Sequence, residues 1–123
     1  MKIINTENMP KSNGHYSHCV EHNGVLYISG QLPFDPKTRE MPEGIVAQAH
    51  QVLSNLKLIL TEAGSSVNQV MQVRIYIPDV ELWGAVNEVY AEYFVEHKPA
   101  RCVVPSRELH FGALIELEAT AYV

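Results

Sequence analysis

The run of residues 45–63 narrows most sharply what this chain can fold into. Apolar residues recur at 45, 46, 49, 52, 53, 56, 59, 60 and 63, the period of a helix with one apolar face, and Gly64 stands where such a helix stops. A helix of this kind is held mainly by whatever covers its stripe. A few residues on, the period changes. Across 70–77, Val73, Ile75 and Ile77 alternate with Gln72, Arg74 and Tyr76, as in a half-buried strand, and Pro78 ends the run. Asp79 then caps a second helix reaching about His97, with Leu82, Val86, Val89, Tyr90 and Phe94 on its buried side.

The flanking segments supply the strands those helices need. "SHCVEHNGVLYISGQ" reads as two strands joined around Asn23-Gly24, a dipeptide suited to the positive φ angles of a tight hairpin. "LPFDPKTREMPEG", with three prolines and one glycine, reads as an irregular loop. Two more strands are expected near 101–104 and 114–123. The order β-β-(β)-α-β-α-β-β predicts a single α+β domain over 1–123, one sheet with two helices on one face. The other sheet face also needs cover, so self-association is a natural outcome.

Composition enters by exclusion. A formal charge of −5 with no run of Lys or Arg disfavours nucleic-acid binding, which draws on clustered cations. No apolar stretch is long enough to span a bilayer, and "MKIINTENMPKSNG" lacks a secretory hydrophobic region, so a cytoplasmic location is expected. Cys19 and Cys102 make neither a disulfide framework nor a CxxC pair.

Several residues carry candidate chemistry, each beside a plainer reading. His15, His18 and His22 are close in sequence, but on a strand 15 and 18 face opposite ways and no zinc-type ligand set accompanies them; surface or interface histidines are expected and no metal site. Ser29 and Gly30 end a strand, where a glycine either lets a ligand approach the backbone or simply makes a turn. Asn87, a mediocre helix former inside the second helix, has either a specific polar task or a solvated face. Arg101 opens a strand, where its guanidinium must reach solvent or bind an anion, and its planar fork matches a carboxylate. In the last strand Ile115, Leu117, Ala119 and Ala121 take one face, and Glu116, Glu118, Thr120 and Tyr122 the other. A solvated polar face accounts for that pattern. If the last two strands paired as a hairpin, residues 101 and 116 would lie opposite each other; an intervening strand would void the argument.

Taken together, "GHYSHCV", "LYISGQLPFDPKT", "VNEVYAEYF", "KPARCVV" and "IELEATAYV" resemble the reactive-intermediate deaminase family, RidA/YjgF, in order and over essentially the whole chain. The most specific stretches are SGQ-x-P-x-[DN]-P-x-T, here residues 29–38, and P-x-R followed by I-E-[IL]-E, with Glu116 fifteen residues after Arg101. The resemblance implies a chorismate-mutase-like α+β fold, homotrimeric around a central barrel, with sites between subunits. It implies hydrolysis of 2-aminoacrylate-type enamines and imines to 2-keto acids and ammonia, as by a 2-iminobutanoate/2-iminopropanoate deaminase, without metal or organic cofactor. By position, Arg101 matches the arginine that holds the substrate carboxylate and Glu116 the acid that directs water. Tyr16, Ser29, Gly30 and Asn87 match pocket-lining positions, and the backbone at Cys102 and Val103 matches substrate contacts.

The chain also departs from that family. It has Gly14-His15 where Gly-Pro is frequent, Cys102-Val103 where Ser-Cys is common, and Leu109-His110 where Leu-Pro is usual. His15 and His110 therefore bear on which imine fits, an aminomuconate-type compound being one alternative. A non-catalytic metabolite-binding member is a second. An RNA-cleaving role, also attached to the family, sits poorly with the acidic charge.

Overall fold

The computed structural model describes residues 1–123. Its strands are β1 (Lys2–Ile4), β2 (Cys19–His22), β3 (Val25–Gln31), β4 (Val70–Ile77), β5 (Ala100–Pro105) and β6 (Glu116–Tyr122); its helices are α1 (Ile45–Glu62) and α2 (Trp83–Phe94). They form one mixed sheet in the order β1-β2-β3-β6-β4-β5. Only β4 and β5 run parallel. No helix is long and apolar enough to cross a membrane.

This sheet corrects the expectation of a chorismate-mutase-like fold closed into a barrel. β1 and β5 are its two edges, at opposite ends of the strand order, and they do not pair. A barrel abolishes its edges by pairing first strand to last, and here the sheet stays open.

Local sequence explains most boundaries. Asn23 and Gly24 take φ 52° and 79°, the two positive angles of the hairpin that sets His22 opposite Val25. At the end of α1, Gly64 (φ 80°) donates to the Thr61 carbonyl at 3.1 Å and Ser65 to that of Leu60 at 2.8 Å, the paired bonds that close a helix through a left-handed glycine. Asp79 caps a 3₁₀ turn over Val80–Leu82 rather than α2 itself, accepting from the Glu81 N–H at 2.9 Å. α2 stops at Phe94, short of His97, because Val95 adopts φ 55°. The His97 ring instead donates from Nε2 to the Val70 carbonyl at 2.7 Å, tying that exit to β4. The short β1 carried no periodicity that would have marked it.

The core lies between the sheet and the helices. Leu26 and Ile28, Val73, Ile75 and Ile77, and Leu117, Ala119 and Ala121 meet Val52, Leu53, Leu56, Ile59 and Leu60 of α1 and Val86, Val89 and Phe94 of α2. Two polar side chains of α1 are buried with them. Asn55 donates to the carbonyls of Phe34 (2.8 Å) and Leu32 (3.4 Å) and accepts from Gln51. Gln48 donates to the Pro42 carbonyl (3.0 Å) and accepts from the Leu114 N–H (2.8 Å). Seven residues apart, they share one face of α1 and hold down two loops, the one after β3 and the one before β6. Asn55→Ala leaves the Phe34 carbonyl unpartnered beneath the loop. We expect it to cost about 1–3 kcal/mol of unfolding free energy in urea titration.

Candidate functional site

The candidate residues fall into two groups on opposite faces of the sheet. In the parallel pairing of β4 with β5, Val73 stands beside Arg101, so the arginine shares the helix-covered face with a buried valine. In the antiparallel pairing of β4 with β6, Tyr76 stands opposite Glu116, on the uncovered face. β4 lies between β5 and β6. The hairpin pairing of 101 with 116 is thereby voided, and one chain does not bring the two side chains together.

Arg101 sits in an aromatic cradle from α2. Its Nη1 donates to Asn87 Oδ1 at 3.0 Å, and its guanidinium carbon lies 4.7 Å from the Tyr90 ring centroid and 5.7 Å from that of Trp83. Residues 83, 87 and 90 are spaced by four and three, which places them on one helix face toward β5. Asn87 therefore has a polar task, orienting the guanidinium. Trp83 and Tyr90 were absent from the sequence-derived candidates; their spacing from Asn87 was the available signal, but Tyr90 also fitted the core pattern. Its hydroxyl is buried without a hydrogen-bond partner, and burial pushes its pKa up to about 12 against the opposing pull of Arg101. The fold's one ion pair is Arg74–Glu118 at 3.7 Å, so Arg101 makes none. A half-buried guanidinium with one neutral partner keeps its remaining donors for an anion.

Glu116 opens β6 beside an irregularity in β3. The β3–β6 register shifts between Ile28 and Gln31, which takes Ser29 and Gly30 out of regular pairing. The carboxylate lies so close over Gly30 that a Cβ there would stand 2.6 Å from Oε1. Glycine at 30 thus serves close approach by a side chain. Burial raises the Glu116 pKa above 4.5, with the positive field of His110 opposing and the Glu118 charge adding to the rise.

The remaining candidates divide between these groups. The Ser29 hydroxyl donates to the Ser17 carbonyl at 2.6 Å and its N–H to that of His18 at 3.0 Å, so Ser29 anchors the loop ahead of β2. Tyr16, exposed on that loop, lines a shallow cleft of about 750 Å³ with Asn5, Lys11 and His15. Cys102 is exposed on β5, and Val103 packs against the core. His18 is buried; Nδ1 accepts from the Thr6 N–H (3.2 Å) and Nε2 donates to the Pro10 carbonyl (3.1 Å), so it is a structural histidine.

The fold and site together define a class: an open α+β sheet offering a guanidinium from one face and a half-buried acid from the other. Known proteins narrow this further. The family model described as Endoribonuclease L-PSP matches residues 6–123. A RutC family protein from Pyrococcus horikoshii is 48% identical over 98% of this chain and 97% of its own length. The crystal structure of RidA from an Antarctic Psychrobacter superposes with a TM-score of 0.95 at 38% identity, covering 100% of both chains. That of E. coli TdcF with bound serine gives 0.95 at 34% identity, covering 100% of this chain and 99% of the other. The chain belongs to the RidA/YjgF family. Its architecture is that family's open α+β fold, which replaces the chorismate-mutase-like expectation.

The raised pKa of Glu116 has a consequence for stability. Between 4.5 and its raised value the folded state binds more protons than the unfolded chain, so this group's contribution falls as pH rises through that window. Glu116→Gln removes the titration. Its Tm measured against wild type should improve on going from about pH 4 to about pH 7, because only the wild type then carries the buried charge.

Proposed function

We propose that this protein hydrolyses reactive enamine and imine acids of the 2-aminoacrylate type to 2-keto acids and ammonia, with Arg101 holding the substrate carboxylate and Glu116 directing water. The observation that carries the reading is Arg101 itself, cradled by Trp83, Asn87 and Tyr90 and free of any protein carboxylate. Family membership supports it, and so does the serine bound to TdcF, a small ligand that also carries a carboxylate.

The chemistry asks little of the protein. An enamine first takes a proton on carbon and becomes an iminium. Water then adds to the electrophilic carbon while the C=N π pair moves to nitrogen. A proton passes from the added water to that nitrogen, the C–N bond breaks as ammonia leaves, and the C=O bond forms. Overall one water is consumed and one ammonia released. Glu116 takes the water's proton and returns it to nitrogen, a double duty suited to a carboxyl with a raised pKa. The Arg101 fork fixes which face of the carbon meets the water. Edge strand β5 has a backbone side that pairs with no strand of its own chain, which supports substrate contacts by the peptide groups at Cys102 and Val103. Tyr16, Ser29, Gly30 and Asn87 complete the pocket in this reading, Ser29 through the loop it holds.

Because Arg101 and Glu116 leave the sheet on opposite faces, we infer that sites are completed between copies, a homotrimer with clefts between subunits serving this need. The whole of 1–123 acts as one domain in a cytoplasmic setting. Endoribonuclease chemistry, which the family description names, is the weaker reading at a net charge of −5 with a single cradled arginine.

The test couples an enzyme that releases 2-aminoacrylate to fresh protein and follows 2-keto acid. Arg101→Ala should lower kcat/KM by about 10- to 100-fold, the worth of a charge-assisted contact, and Arg101→Lys should also be poor. No acceleration over spontaneous hydrolysis rejects the reading. Mixing the impaired Arg101→Ala with Glu116→Gln under subunit exchange should raise activity above that of either variant alone, since some clefts then carry both intact residues.

A further inference from the structure

The two rings that cradle Arg101 differ in what else they touch. Tyr90 is 7% exposed and packs on Phe94 with centroids 4.5 Å apart, whereas Trp83 keeps 45% of its surface open. Contact with the guanidinium at 5.7 Å occupies only part of so large a side chain. Val80 lies three residues earlier, on the 3₁₀ turn that leads into α2, and is 59% exposed; that spacing places it on the same side of the turn as Trp83. The frame beneath them is fixed. Asp79 accepts from the Glu81 N–H at 2.9 Å, and the Ser106 N–H donates to the Ile77 carbonyl at 2.7 Å, fastening the end of β5 to the end of β4. Trp83 and Val80 thus form an apolar shelf beside Arg101.

Distance decides what such a shelf touches. A carboxylate on the donors that Asn87 leaves free lies about 2.8 Å from the guanidinium nitrogens. The substituent on the next carbon then comes within reach of an indole centred 5.7 Å from the guanidinium carbon. The neighbouring charges decide which substituents are welcome. Residues 79–94 include no Lys, Arg or His, while Glu81 and Glu88 are exposed. A second anionic group would find no partner there and would meet like charge. An apolar group would gain by covering the indole.

We propose that Trp83 is a specificity-determining residue: its open indole face, with Val80, receives the substrate's side chain. It selects imine acids with a branched or longer apolar substituent over the smallest imines and over those with a second carboxylate. This rests on the reading of Arg101 above and extends it from carboxylate recognition to the choice of substituent.

Trp83 is the chain's only tryptophan, so its emission reports on the shelf directly. Stable 2-keto acids serve as probes. 4-Methyl-2-oxopentanoate should shift the emission to the blue and bind about 10-fold or more tightly than pyruvate, the discrimination that extra methylene groups supply in an apolar contact. Arg101→Ala should abolish the shift. In turnover, the ratio of kcat/KM for the leucine-derived imine to that for the alanine-derived imine should fall about 10-fold in Trp83→Ala, and less in Trp83→Phe, which keeps an aromatic face. Equal binding of the two keto acids, or both imines slowed alike in Trp83→Ala, overturns the selection. So does emission that neither acid alters while imines are still hydrolysed. An Arg101-dependent blue shift without turnover of any imine sinks the deaminase reading instead, and leaves the selection by Trp83 standing.

Discussion

The C-terminal strand is hydrogen-bonded on both sides, to β3 and to β4, and the rest of the molecule is arranged around that double pairing. Its inward residues, Leu117, Ala119 and Ala121, are buried, and two of the three are small enough for α1 to sit close over the middle of the sheet. A one-residue slip of β6 would drive Glu116 and Glu118 into that core and expose the leucine, so the register is strongly held. The same register sets Glu116 opposite Tyr76 and brings its carboxylate over Gly30. Core packing and placement of the acid are therefore one event.

Around this strand the polar residues of α1 act as internal fasteners. Gln48 and Asn55 lie on the buried face of a helix whose stability comes from apolar contact, and each satisfies backbone groups of loops that would otherwise carry unpaired carbonyls. A buried amide is tolerated where its hydrogen bonds are made, and here they brace the chain on either side of the acid. Arg101 is held differently, by stacking on Tyr90 and Trp83 and one bond to Asn87. It stays oriented without being neutralised, which leaves its remaining donors free.

Elements with a strong local signature were legible in the sequence. The 3.6-residue stripe of α1, its Gly64 stop, the Asn23-Gly24 hairpin and the alternation of β4 all depend on nearest neighbours along the chain, and all appear where those patterns place them. Less legible were features set by distant contacts. β1 is three residues long and exists through pairing with β2. Gln48 and Asn55 fall in an apolar stripe, and nothing in their spacing says that loops six to sixty-six residues away need their amides. The end of α2 at Val95 came earlier than its composition suggested, since a left-handed β-branched residue is a cost that local preference argues against.

By itself the sequence determined that a helix–strand–helix–strand chain would build a half-covered mixed sheet, and its matching stretches marked Arg101 and Glu116 as the pair to watch. Periodicity and residue chemistry are local, and they survive translation into structure. Only the tertiary structure decided what lies between those two residues. β4 is inserted between the strands that carry them, so their side chains point to opposite faces of one sheet. Strand order is settled by which faces can be buried together, a property of the assembled core that sequence adjacency does not encode. Closure into a barrel was likewise a question of edges, and the sheet's two edge strands end up as far apart as six strands allow.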